Sequence, residues 1–87
     1  MSHGRSLGAV TTDVPQGIAG ILAEVLDIDA DTVRPDQVLR DLGVDMLALI
    51  EVVVSVEQTF GVVIADDDAR GLTTVAALTS YVEQRLP

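Results

Sequence analysis

The chain has 87 residues, no cysteine, and a formal net charge of −9 from 14 acidic residues against 5 arginines. A chain of this length forms one domain that buries only roughly 60–65% of its unfolded surface, and without thiols it has neither a disulfide framework nor a thiolate metal site to hold it together. Its acidity excludes nucleic acid and anionic membrane surfaces as expected partners and favours proteins with basic patches.

In chain order, Met1 to Thr12 carries glycine, serine, threonine and the single histidine, His3, without periodic apolar positions. It reads as a flexible N-terminal tail (1–12), with the helical domain over 13–87. The N-terminus lacks the apolar core of a signal peptide, and no apolar run approaches the roughly 18 residues of a membrane span. No membrane insertion is expected, and the expected address is the cytoplasm. Asp13 as N-cap, Pro15 in the first turn and Gln16 at N3 announce the first helix through a capping box. Val14, Ile18, Ile21, Leu22 and Val25 supply its buried stripe. Gly17 and Gly20 inside it each cost about 1 kcal/mol relative to alanine, which points either to close approach of another element or to a weak helix.

From Asp27 to Asp45 the periodicity breaks into a long connection. Such connections in compact domains are functional or hold a helical turn of their own. Ile28, Val33, Val38, Leu39 and Leu42 are placed to pin it to the core, and Pro35-Asp36 is the expected opening of one short turn that ends near Gly43. The stretch from Gly43 to Gly61 then reads as one helix between two glycines. Leu49, Val52, Val53, Val56 and Phe60 fall on its buried side, while Leu47, Ile50 and Val54 share the opposite side with Glu51, Glu57 and Gln58. Exposed Val and Ile are common singly, but an apolar line edged by carboxylates also reads as a docking strip for basic partners.

Gly61 is a left-handed stop, Val62-Val63-Ile64 an extended connector, and Asp66-Asp67-Asp68-Ala69-Arg70 a short helix with carboxylates at its favoured end, closed by Gly71. The last helix runs from a cap at Thr73 or Thr74 through Val75, Leu78, Val82 and Leu86. Three longer helices and one short one around an aliphatic core, with Phe60 and Tyr81 as the only aromatic residues, predict an all-α fold, a small four-helix bundle with a long loop between helices 1 and 2.

Catalysis by this chain is not expected. A nucleophile and base in a cleft are required, whereas the chain has one histidine in its tail, no cysteine and no lysine, and a run of three aspartates is ordinarily a solvated helix start. Asp27-x-Asp29-x-Asp31 matches the opening of an EF-hand calcium loop. That loop needs glycine sixth and glutamate twelfth, where this chain has Thr32 and Val38, so no metal site is expected.

The order of parts carries a more specific signal. Asp41-Leu42-Gly43-Val44-Asp45-Met46-Leu47, the acidic-apolar helix ending Glu57-Gln58-Thr59-Phe60-Gly61, then Ile64-Ala65-Asp66-Asp67 and Leu72-Thr73-Thr74-Val75, strongly resemble an acyl carrier protein, over about Asp13 to Tyr81 and without a gap from Asp41 to Thr74. The aspartate before the attachment site is more similar to carriers of fatty-acid or polyketide synthesis than to peptidyl carriers. The resemblance implies a non-enzymatic carrier that holds acyl chains as thioesters on a 4'-phosphopantetheine arm, joined to a serine at the start of the second helix. That position is Met46 here, whose thioether has no hydroxyl, so no arm is attachable and this form is expected to be locked without one. Ser55 lies more than two turns further along the helix and is no substitute. Met46 reads as an introduced change that keeps a carrier unmodified, as the natural residue of a carrier-like interaction module, or simply as a good helix former in a bundle whose likeness to carriers is accidental.

The resemblance further implies a partner surface at Asp45, Leu47, Ile50, Glu51, Val54 and Glu57, and partners comprising a phosphopantetheinyl transferase and acyl-processing enzymes with basic docking surfaces. The carrier itself is expected to be a monomer. Ala48 and Gln58 stand at positions often acidic in fatty-acid carriers, and Arg70 adds a positive charge to the third helix. Partner binding is therefore expected to depend less on salt than in such carriers. Val52, Val53, Val56, Ile64, Ala69 and Leu72 are the residues to line an acyl-chain cavity between the second and third helices, set against an ordinary close-packed core.

Overall fold

The computed structural model describes residues 13–86, so the expected tail, with His3, lies outside the described residues. Among the described residues four helices form the bundle: α1 (Val14–Leu26), α2 (Met46–Phe60), α3 (Asp66–Gly71) and α4 (Val75–Arg85). The all-α class and the pattern of three longer helices with one short one are as expected from the sequence.

Each longer helix starts on a side-chain cap. Asp13 Oδ1 accepts from the Gln16 N–H at 3.1 Å, Asp45 Oδ1 from the Ala48 N–H at 2.8 Å, and Thr74 Oγ1 from the Ala77 N–H at 3.1 Å. Such caps satisfy end amides that the helix leaves unpaired. Only the Asp13 half of the expected capping box is formed among the described residues; no bond returns from the Gln16 side chain. At the far end of α1, Asp27 adopts a left-handed conformation, φ 57°, and the Ile28 N–H reaches back to the Ala23 carbonyl at 3.0 Å. Aspartate tolerates that conformation better than most residues.

The aspartates that imitate a calcium loop thus have structural posts. Asp27 stops a helix, and Asp29 Oδ1 accepts from the Asp31 N–H at 3.0 Å to open a 3-10 turn over Ala30–Thr32.

The core is aliphatic. Val14, Ile18, Ile21 and Leu22 of α1 meet Val52 and Val56 of α2 and Val75, Leu78 and Val82 of α4, with Leu39, Val44, Val62, Ile64 and Ala69 closing the ends. Both α2 and α4 pack extensively on α1, whereas α3 has no comparably extensive partner helix. Gly17 resolves one of the open questions in the sequence: a Cβ there would lie 2.5 Å from Phe60 Cζ, so the missing side chain lets the ring of α2 rest on α1. Gly20 faces open space and has no such reason.

The long connection differs in detail from its expectation. Its second helical turn opens at Leu39 and runs over Leu39–Leu42, not at Pro35-Asp36, and ends at Gly43 with φ 105°. The shift has a backbone cause. The Pro35 carbonyl accepts from Ala76 N–H at 2.8 Å, the Gln37 carbonyl from Val75 N–H at 3.0 Å, and Leu39 N–H donates to the Thr73 carbonyl at 2.8 Å. Residues 35–38 are thereby held beside the start of α4, Pro35 and Asp36 in a non-helical turn closed by the Gln37 N–H on the Arg34 carbonyl at 3.2 Å, with one antiparallel bridge between Val38 and Thr74. The turn begins only where that ladder stops, and Leu39 then buries its side chain.

Candidate functional site

The entry of α2 is the centre of the site. Asp45 caps it, Met46 is its first residue, and Gly43 and Val44 bring the chain there, with Val44 N–H bonded to the Leu39 carbonyl at 3.1 Å. Capping and burial of Val44 fix the backbone; the Met46 side chain itself is 79% exposed. Along the same helix Leu47 is 69%, Ile50 56% and Val54 44% exposed, so the outward apolar stripe read from the sequence is a continuous ridge in the fold. Asp45 and Glu51 beside it are exposed.

Two grooves flank this ridge. The first, of about 450 Å³, runs between α2 and α3 and is lined by Met46, Leu49, Ile50, Val53, Val54 and Ile64, with Glu57, Asp66 and Arg70 at its rim and Ala69 at its floor. The second, of about 480 Å³, runs between α1 and α2 over Val25, Ile50 and Val54, with Glu24, Glu51 and Ser55 around it. A smaller cleft of about 180 Å³ adjoins the first, where Leu72 lies with Leu49, Ala69, Arg40 and Arg70. Of the six residues expected to line an interior space, Val53, Ile64 and Ala69 face the first groove, Leu72 faces the smaller cleft, and Val52 and Val56 are sealed within the core at 1% and 0% exposure.

Glu57 and three charges of α3, Asp67, Asp68 and Arg70, are already engaged. Glu57 is half-buried and its Oε2 accepts the Ile64 N–H at 2.8 Å, a tie across the Gly61 turn that the sequence reading, which treated Glu57 only as a surface carboxylate, did not contain. The visible signal was its position one turn before a left-handed glycine, with φ 69° at Gly61, facing a connector whose amides have no helix of their own. Asp67 pairs with Arg70 at 3.0 Å, exposed on both sides, an arrangement that contributes at most about 1 kcal/mol. Asp68 Oδ2 accepts from the Tyr81 hydroxyl at 2.8 Å, joining α3 to α4. That hydrogen bond, made by the protonated phenol to a carboxylate, holds the Tyr81 pKa above its ordinary 10.0; the Arg85 guanidinium over the ring, 3.7 Å from its centroid, acts in the opposite direction.

Comparison with known proteins places this geometry. The phosphopantetheine attachment site family matches residues 16–82. The meromycolate extension acyl carrier protein of Mycolicibacterium smegmatis is 33% identical over 79 residues, which cover 90% of this chain and 80% of its own. An acyl carrier protein of Helicobacter pylori is 35% identical over 69 residues, 78% of this chain and 88% of its own. The chain belongs to the acyl carrier proteins.

The side chain that the entry of α2 presents carries no hydroxyl. A phosphodiester link needs a hydroxyl oxygen, and Met46 offers a thioether sulfur. Ser55 is half-buried, lines the groove between α1 and α2, and stands more than two turns from the helix start. No group of three or more metal-ligating side chains is clustered among the described residues, and no helix among them is long and apolar enough to cross a membrane.

Proposed function

We propose that this chain is built as an acyl carrier of a fatty-acid or polyketide type pathway, non-enzymatic, with Met46 at the position where the family has its attachment serine, and hence held without its 4'-phosphopantetheine arm. The observation that carries the reading is the entry of α2: an aspartate-capped first turn, an exposed side chain at position 46, and a groove lined mainly by apolar residues that begins at that side chain. Presentation at a helix start is what a transferase needs to reach a residue. The ridge of Leu47, Ile50 and Val54 with Asp45 and Glu51 is the surface for basic partners, among them a phosphopantetheinyl transferase and acyl-processing enzymes, because apolar area and unscreened carboxylates together give both affinity and steering.

The groove between α2 and α3, with Val53, Ile64 and Ala69, is the place for an acyl chain in a serine-containing form; Val52, Val56 and Leu72 support it from below. One observation favours a second reading. Met46 itself is exposed and apolar, continuous with the docking ridge, which suits an interaction module that binds or regulates biosynthetic enzymes and carries nothing.

The test is to incubate this chain and its Met46→Ser variant with coenzyme A, magnesium and a broad-specificity phosphopantetheinyl transferase, and to weigh both intact. The carrier reading expects the serine variant alone to gain one arm. If neither gains an arm under conditions that modify a control carrier, the carrier reading falls and the interaction module takes its place.

A further inference from the structure

The clefts around α2 differ in charge. The grooves on either side of its ridge each carry two carboxylates, Glu57 and Asp66 toward α3 and Glu24 and Glu51 toward α1. The smaller cleft of about 180 Å³ that adjoins the α3 groove carries none, and two of the chain's five arginines, Arg40 and Arg70, line it. Its apolar lining comes from three places: Leu39 and Val44 before α2, Leu49 within α2, and Ala69 and Leu72 at the end of α3. The wall that bears Arg40 is fixed by backbone bonds, with Leu39 N–H on the Thr73 carbonyl at 2.8 Å, Gly43 N–H on the Arg40 carbonyl at 3.0 Å and Val44 N–H on the Leu39 carbonyl at 3.1 Å. The Arg40 guanidinium has no hydrogen bond or ion pair among the described residues. Arg70 uses one nitrogen, Nη1, on the exposed Asp67 and keeps further donors of the five that a guanidinium offers.

Two cations over aliphatic side chains are complementary to an anion on an apolar stem. Guanidinium forks match the planar carboxylate, and a second negative charge on the ligand is disfavoured by a chain of net charge −9. A cleft of about 180 Å³ is smaller than the roughly 300–1,000 Å³ of pockets for drug-sized ligands, so the stem is short. We propose that this cleft is a binding site for a short-chain monocarboxylic acid, its carboxylate held by Arg40 and Arg70 and its aliphatic stem laid on Leu39, Leu49, Ala69 and Leu72. The site is distinct from the place given above to a carried acyl chain. A chain in the α2–α3 groove lies among apolar side chains and calls for no cation, whereas here the anion is what is recognised. The inference goes beyond the carrier reading and does not depend on it, because a free acid binds without an arm.

The experiment titrates the isotope-labelled full chain, with Met46 in place, with hexanoate at constant ionic strength and neutral pH, followed by amide NMR. Hexanamide keeps the stem without the charge, acetate keeps the charge without the stem, and hexyl phosphate adds a second charge. The expected result is that hexanoate shifts Leu39, Arg40, Ala69, Arg70, Leu72 and Thr73 to saturation, binds at least about tenfold more tightly than hexanamide or acetate, and binds no more weakly than hexyl phosphate. Arg40→Gln and Arg70→Gln should each weaken it about five- to tenfold. Arg34→Gln, which removes the same charge beside a separate cleft between α1 and α4, leaves it unchanged. All three arginines are exposed, so these substitutions leave the core intact. The proposal is overturned if hexanamide or acetate binds as tightly as hexanoate, if hexyl phosphate binds more tightly, if the shifts are confined to Met46, Val53 and Ile64, if the three glutamine variants act alike, or if no saturable shift is seen. Failure of the carrier reading is seen separately: a Met46→Ser chain that takes no arm removes that reading and leaves the hexanoate result standing.

Discussion

The two sides of α2 are held by different physics. Toward α1 the contact is close and apolar: Ile18, Leu22, Val52 and Val56 are sealed, and Phe60 reaches the backbone of Gly17. Toward α3 the contact is a six-residue helix fastened by Ile64 and Ala69 and by two carboxylates, Glu57 on the Ile64 N–H and Asp68 under the Tyr81 hydroxyl. Close packing resists opening because every displaced atom loses its neighbours, whereas a short helix on a few polar ties opens locally at small cost. The difference suits a carrier whose partners need a fixed face and whose cargo needs a yielding one.

The largest expected effects come from truncating one apolar side chain on each side. Ile18→Ala should cost about 3–5 kcal/mol and Ile64→Ala about 2 kcal/mol, because α3 can settle into the space and the α1 seam cannot. Urea unfolding of both variants checks this, and equal losses would erase the contrast. Next, Gly20→Ala, facing open space, should stabilise α1 by up to about 1 kcal/mol. Gly17→Ala should lack that gain and fall below it by about 1–3 kcal/mol, since its Cβ displaces the Phe60 ring. Matching gains in thermal melts would show that the close approach is not needed.

A smaller effect is expected at the α3 tie. Glu57→Ala leaves the Ile64 N–H without its acceptor and should cost about 1 kcal/mol, and Glu57→Gln, which keeps an acceptor oxygen, should recover most of it in the same unfolding series. The smallest concerns Tyr81. Its pKa is raised, so the tie to Asp68 contributes below the unfolded tyrosine value near pH 10 and is lost as pH rises through the higher folded value. As the only tyrosine in the chain, it can be followed by ultraviolet titration. The midpoint should lie above 10.0 and move down in Asp68→Asn; an unmoved midpoint would show that the bond does not hold the phenol.

Much of this was legible in the residues because it depends on local rules. Apolar period placed α1, α2 and α4, and the cap Asp13, the pair Thr73 and Thr74, of which Thr74 is the cap, and the stop at Gly61 marked their ends. The exposed ridge on α2 followed from the same period, and the order of motifs around Met46 carried the likeness to acyl carrier proteins. What escaped depends on pairings far apart in the chain. The ladder from Pro35, Gln37 and Leu39 to the start of α4 leaves no periodic trace, and it moved the helical turn from Pro35-Asp36 to Leu39. Glu57 looked like any surface carboxylate until the fold brought Ile64 to it.

Amide hydrogen exchange of the intact chain at neutral pH tests most directly whether α2 joins a fixed side to a yielding one. The account predicts that Leu22 and Val56 exchange together at the slowest rate, that Ile64, Ala69 and Leu72 exchange at least about tenfold faster by local opening, and that Glu57→Ala quickens this second group alone. Equal slow exchange in both groups, or a Glu57→Ala effect spread evenly over α1 and α3, would contradict it.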